Sequence, residues 1–184
     1  MILHVCPWYC GYFLLSPLRR FEVKPEKALE GLVSPGDVVL DAGCAMGFFS
    51  IPMARMVGED GCVICVDLQE RMLKTLRKRA KRAGLHDRIE ARRCTAGSLG
   101  IEDLDAKLDF ALAWAVVHET PDPAAFFAQI HRALKTSRRL LVAEPAGHIN
   151  LQKFESTLET ARKTGFRTLE KSPQKKYHVA VLEK

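Results

Sequence analysis

Val38-Val39-Leu40-Asp41-Ala42-Gly43-Cys44-Ala45-Met46-Gly47 is the stretch on which the reading of this chain turns. Its three aliphatic residues follow the turn pair Pro35-Gly36 and read as a first strand. Small residues at 43, 45 and 47 come immediately after, and apolar residues then recur with helical period over 47–57 until Gly58 and the turn Asp60-Gly61. A second apolar strand at 62–66 ends in Asp67, 26 residues after Asp41. Strand, small-residue turn, helix and strand make one βαβ unit, which requires a parallel sheet.

Working outward, the alternation continues to the C-terminus. A helix is predicted over 69–83, capped by Gly84, then a strand at 89–93. Residues 108–114 are almost wholly apolar, as in a strand covered on both faces. Asp122-Pro123 supplies an N-cap and a first-turn proline for a helix to about residue 134. A strand at 140–143, a helix at 151–163, Gly165 and strands at 167–170 and 177–182 complete the chain. The predicted fold class is α/β, one doubly wound Rossmann-like domain over 36–184, preceded by a separate segment at 1–35.

Composition agrees with one globular domain. The 184 residues are 47% hydrophobic and 27% charged with no biased tract, which excludes disorder, collagen and coiled coil. No apolar run reaches the length of a membrane helix; residues 2–18 are broken by His4, Pro7, Gly11 and Pro17 and lack signal-peptide features. The six cysteines are expected to be reduced thiols in a cytoplasmic protein. Cys62 and Cys65 are three apart on a strand, so they point to opposite faces and cannot share a metal; Cys6 and Cys10 have no second pair. The net charge is +6, and nine basic residues fall between Lys74 and Arg93, either as a solvated helix face or as a nucleic-acid patch.

In such a sheet the ligand lies beyond the carboxyl ends of the strands where their order reverses. Small residues at 43, 45 and 47 allow close approach to the backbone, and Asp67 is placed to accept both hydroxyls of a ribose. These features predict a nucleoside-containing cofactor. A dinucleotide fingerprint beginning at Gly43 would require glycine at 45 and 48, where the chain has Ala45 and Phe48. Asp41, opening the loop, suits an ammonium group better than a pyrophosphate.

Asp-Ala-Gly-Cys-Ala-Met-Gly at 41–47 resembles the first motif, [DE]-x-G-x-G-x-G, of the class I S-adenosylmethionine-dependent methyltransferases, with Ala45 in place of the middle glycine. The likeness continues in order through Val66-Asp67, Leu108 to Trp114, Val117-His118-Glu119, Pro121-Asp122, Arg132 to Lys135 and Gly165-Phe166, and is nearest to the methyltransferase type 11 group. It departs at Thr136-Ser137-Arg138, where Pro-Gly-Gly is usual. The resemblance implies a seven-stranded sheet of order 3-2-1-4-5-7-6 with the last strand antiparallel. It implies S-adenosyl-L-methionine as cofactor and S-adenosyl-L-homocysteine as product. Asp41, Gly43, Ala45 and Gly47 would hold the methionine end, Asp67 the ribose and Leu68 the adenine. Thr95 and Ala96 stand where the family often has an acid for the adenine amino group, and Ala113 and Trp114 would face the reacting methyl.

The acceptor side is less determined. Methyl transfer is an in-line displacement that orientation and desolvation can drive, and a base is needed only for a protonated nucleophile. His118 and Glu119 are the candidate catalytic residues, with Glu144 and His148 also at strand ends; no metal-ligand spacing joins them. An alternative assigns His118 to loop capping and Glu119 to a surface ion pair. Motifs for methylating planar amino groups, cytosine C5 or ribose 2′-hydroxyls are missing. Residues 1–35, with Trp8, Tyr9, Tyr12, Phe13, Leu14, Arg19 and Arg20, are read as an aromatic lid; packing on the sheet edge, contact with a membrane surface, or closure by a homodimer compete with that reading. A small-molecule methyl acceptor is the first expectation. RNA methylation and a non-catalytic cofactor-binding accessory subunit are the alternatives.

Overall fold

Alternating burial along the strands builds the molecule around two apolar layers, one on each face of a sheet. The computed structural model describes Pro7, Tyr9, Gly11, Leu15, residues 22–173 and residues 176–184. Its strands are β1 Val38–Ala42, β2 Cys62–Asp67, β3 Ile89–Arg93, β4 Leu108–Trp114, β5 Leu134–Pro145, β6 Arg167–Pro173 and β7 Tyr177–Glu183. The helices are α1 Pro25–Ala28, α2 Ser50–Met56, α3 Glu70–Arg82, α4 Pro123–Ala133 and α5 Leu151–Lys163. The sheet order is β3-β2-β1-β4-β5-β7-β6, as the resemblance implied. β1 to β5 pair in parallel, and β7 runs antiparallel between β5 and β6.

Successive residues of a strand face opposite layers. Leu40, Ile64, Val66, Ala111 and Ala113 pack with Phe126, Phe127 and Ile130 of α4 and Phe154 and Leu158 of α5. Val39, Val63, Phe110, Leu112 and Trp114 pack with Met53 of α2 and Leu73 and Leu76 of α3. Every residue of β4 is buried, which follows from its nearly continuous apolar sequence. Cys62 packs on the first layer and Cys65 lies in the second, so the Cys-x-x-Cys pair is split by the sheet.

Three expectations need correction. The helix expected at 47–57 begins only at Ser50, because positive φ at Gly43, Ala45 and Gly47 winds 43–49 into turns. The strand expected at 140–143 extends over Leu134–Pro145. Its polar first half concealed it: Lys135 and Arg138 reach back to Asp109, and Ser137 and Arg138 bond to the Lys184 backbone. Finally, the segment assigned to a lid is partly core. Val23, Leu29 and Val33 are buried in the second layer, so residues 22–35 belong to the body of the domain. Trp8, Tyr12, Phe13, Leu14, Arg19 and Arg20, like Cys6 and Cys10, lie outside the described residues.

Candidate active site

The carboxyl ends of β1, β2 and β4 open into a cavity of about 370 Å³. Its shape begins with the turn after β1. Gly43 has φ +76°, and a Cβ there would stand 2.5 Å from Val116 Cγ2, so the chain passes close beneath the β4 loop. Ala45 adopts φ +47°, a left-handed conformation that costs an alanine about 1 kcal/mol or more relative to glycine. The turn is held in that state by β2: Asp67 Oδ2 accepts the Ala45 N–H at 2.9 Å. Gly43 and Cys44 also donate their N–H groups to Val66 O.

Asp67 is 8% exposed, and its Oδ1 accepts the Gln69 N–H at 2.8 Å. Burial pushes its carboxyl above the ordinary aspartate range, while the two N–H donors oppose that shift. Each carboxylate oxygen has further acceptor capacity, so the group can take the two hydroxyls of a ribose without giving up its backbone donors. Asp41, buried at the end of β1, accepts from Ser50 Oγ at 2.5 Å. Ser50 was missed by sequence reasoning; its only signal is a hydroxyl at the first position of a helix whose next four residues are apolar.

Asp41, Gly43, Ala45, Asp67, Leu68, Thr95, Ala96 and Trp114 all line the cavity. Two other expected cofactor residues do not. Gly47 turns toward α3, where a Cβ would collide with Leu76 Cδ1, so no side chain fits there. Ala113 points into the core beside α4, since on β4 only alternate residues face the same layer as Trp114. Thr95 lines the wall, yet its Oγ1 accepts the Ser98 N–H at 3.1 Å and closes the 95–98 turn. Cys44 and Cys94 also line the cavity; burial raises both thiols, Cys94 to about 11, which keeps them protonated near neutral pH.

The opposite end carries the residues expected on the acceptor side. Phe49 and Tyr177 flank Trp114 with ring centroids 4.6 and 5.0 Å away, forming an aromatic wall. Trp114 Nε1 is buried with no hydrogen-bond partner among the described residues. His118, on a single 3₁₀ turn at Val117–Glu119, is brought to Glu144 of β5. Its Nδ1 hydrogen-bonds Glu144 Oε2, and its backbone N–H donates to Glu144 Oε1 at 3.2 Å. Glu144 is 1% exposed, while the His118 ring remains in the cavity wall with Glu119 and His148. The Glu144 hydrogen bond raises the imidazole pKa above the ordinary histidine value, against the opposing effect of burial. In neutral His118 the proton is assigned to Nδ1 by that carboxylate, which leaves the Nε2 lone pair as an acceptor. Glu119 Oε1 lies 4.0 Å from Nε2.

Gly11 approaches the same cavity from the amino-terminal side. A Cβ on it would stand 2.7 Å from Met72 Sδ and 2.8 Å from Met46 Cε, so its backbone seats against two cavity-wall methionines.

Comparison with known proteins agrees with this geometry. A family model described as "Methyltransferase domain" matches residues 33–181. A ubiquinone/menaquinone biosynthesis C-methyltransferase from a Marinomonas species is 30% identical over 112 residues, 61% of this chain and 44% of that protein. An arsenite methyltransferase from Halobacterium salinarum is 28% identical over 112 residues, 61% of this chain and 28% of that protein. The chain thus spans less than half the length of these curated relatives. A solved SAM-dependent methyltransferase from Aquifex aeolicus superposes with a TM-score of 0.86 at 22% identity, covering 97% of this chain and 98% of that one. With the sheet order, the glycine turn and the buried Asp67 already in place, the matched domain settles the assignment: this chain belongs to the methyltransferase-domain family, of the class I S-adenosylmethionine-dependent kind.

Proposed function

We propose that this protein transfers a methyl group from S-adenosylmethionine to a small aromatic hydroxyl compound, with His118 as the general base. The single observation that carries the reading is the His118–Glu144 pair beside an aromatic wall, in the same cavity as Asp67.

The cavity residues fit the cofactor. Asp67 would hold the ribose, Leu68 and Gln69 would border the adenine, and Asp41 with the 43–46 backbone would hold the methionine end. When bound, S-adenosylmethionine supplies an electrophilic methyl group on a sulfonium sulfur. The remaining work belongs to the chain. Trp114, Phe49 and Tyr177 exclude water and offer ring faces to a planar acceptor. His118 Nε2 accepts the acceptor's hydroxyl proton as oxygen or ring carbon becomes the nucleophile. Glu144 holds the imidazole in the required tautomer and stabilises the imidazolium that results.

An aromatic acceptor is favoured over arsenite, although a relative is named for each. Arsenite chemistry calls for thiolates, and the two cavity cysteines among the described residues are held protonated on the Asp67 side. The aromatic wall lies beside His118 instead.

The test is methyl transfer from radiolabelled S-adenosylmethionine to a panel of quinols, phenols, thiols and arsenite, alongside thermal unfolding with S-adenosylhomocysteine. Turnover on a phenol or quinol that His118→Asn abolishes, with the thermal shift retained, is the expected result. A thermal shift without transfer to any acceptor would favour a non-catalytic cofactor-binding subunit.

A further inference from the structure

The net charge of this protein resides on one helix. α3 holds seven basic residues and one acidic, a balance of +6 that equals the net charge of the whole chain; the other residues carry equal numbers of acids and bases. The helix is strongly two-sided. Met72, Leu73, Leu76 and Ala80 are buried, whereas Lys74, Lys78, Lys81 and Arg82 are exposed and their side chains make no hydrogen bond or ion pair among the described residues. Glu70, the one acid, is taken by Arg77 at 2.6 Å. Lys74, Lys78 and Arg82 therefore follow one another at four-residue spacing with no interleaved acid. Like charges so spaced weaken a helix by a few tenths of a kcal/mol per pair. An ordinary solvated face mixes signs; this one lacks its anions.

Its position shows which anion it suits. The start of α3 borders the cavity through Gln69 and Met72, and Gly11 rests on Met72. Close by in sequence, Tyr9 is 61% exposed, and the chain reads Trp8-Tyr9 and Tyr12-Phe13-Leu14-Leu15 before Arg19-Arg20. An exposed cationic stripe at the border of an aromatic-walled cavity suits the anionic headgroup layer of a bilayer. Glu119 and Asp122 stand on the opposite side of the cavity, where a nucleic-acid strand threaded across the mouth would meet acids. A flat lipid surface on the α3 side avoids them.

We propose that the exposed face of α3 docks on anionic lipid headgroups and thereby sets the cavity mouth against the bilayer surface, where an apolar acceptor would be supplied. The docking itself does not depend on the methyl-transfer reading.

The experiment is co-sedimentation of the full chain with phosphatidylcholine vesicles, with and without phosphatidylglycerol, at low and moderate salt. Wild-type protein is expected to sediment with the phosphatidylglycerol vesicles only, and less so as salt rises. The triple variant Lys74→Gln, Lys78→Gln, Lys81→Gln should bind about a hundredfold more weakly, and the corresponding Glu variant should not bind. These residues are solvent-facing, so the S-adenosylhomocysteine thermal shift should be unchanged, which separates lost docking from a damaged site. Equal binding to neutral and anionic vesicles, no binding of the wild type, or wild-type binding by the Gln variant would overturn the proposal. So would tighter binding to a single-stranded RNA oligomer than to vesicles, abolished by the same variants, because the face would then belong to nucleic acid.

Discussion

The two ends of the cavity are built by different means. At the cofactor end, backbone does the positioning: Asp67 is fixed by the N–H groups of Ala45 and Gln69, and the 43–47 turn follows from φ values that few residues accept. At the acceptor end, side chains do it: His118 is held by Glu144, 26 residues away on another strand, and the wall behind it is three aromatic rings from β4, β7 and the approach to α2. A backbone-built site tolerates little change in geometry and accepts one kind of ligand. One built from side chains can be re-specified by single substitutions.

The largest expected effect breaks the acceptor end alone. His118→Asn removes the proposed base and should lower turnover by about 10² to 10⁴, measured by product formation, with the S-adenosylhomocysteine thermal shift intact. Asp67→Ala should do the reverse. Losing two charged hydrogen bonds to ribose, worth about 1.5–3 kcal/mol each, should weaken cofactor binding at least about a hundredfold by calorimetry. If both substitutions damaged binding and turnover alike, the two ends would not be separable.

A subtler change sharpens the comparison. In the proposed role His118 accepts a proton only when neutral, so activity should rise with pH through its elevated pKa. Glu144→Gln removes the main cause of that elevation and leaves burial, which acts in the other direction. The acid limb of the kcat/KM profile should therefore move to lower pH while the plateau falls about tenfold. The same linkage affects folding. A raised histidine pKa adds stability below the ordinary histidine value and loses it as pH rises through the folded-state value, so the wild-type advantage in Tm over Glu144→Gln should shrink from mildly acidic to alkaline buffer. No such narrowing would place the pair outside the titrating range.

The smallest effect probes the backbone end. Ala45→Gly relieves the left-handed strain while making the unfolded chain more flexible, for a net gain of about 0.5–1 kcal/mol. That corresponds to a rise in Tm of roughly 1–4 °C by calorimetry. A fall would mean that the Ala45 methyl packs in the turn more usefully than its φ costs.

The legibility of the sequence follows the same division. Gly43 and Asp67 could be placed because a strand, a turn and a second strand close in sequence leave little freedom in where their ends meet. That Gly47 and Ala113 turn away from the cavity was not legible, because spacing along the chain does not say which way a residue faces once a turn winds or a strand alternates; their surroundings, Leu76 and α4, decide that. The strand from Leu134 was hidden because its polar residues are satisfied by Asp109 and the carboxyl-terminal Lys184, contacts that have no local signature.

By itself, then, the sequence determined the βαβ alternation, the β1 turn and the acid that ends β2, because hydrophobic period, glycine conformational freedom and strand-end position are local properties. Only the tertiary structure decided that His118 pairs with Glu144, that residues 22–35 join the core, and that Lys74, Lys78, Lys81 and Arg82 stand exposed on the helix beside the cavity. Those outcomes depend on which distant segments pack together, and packing is settled by the whole chain at once.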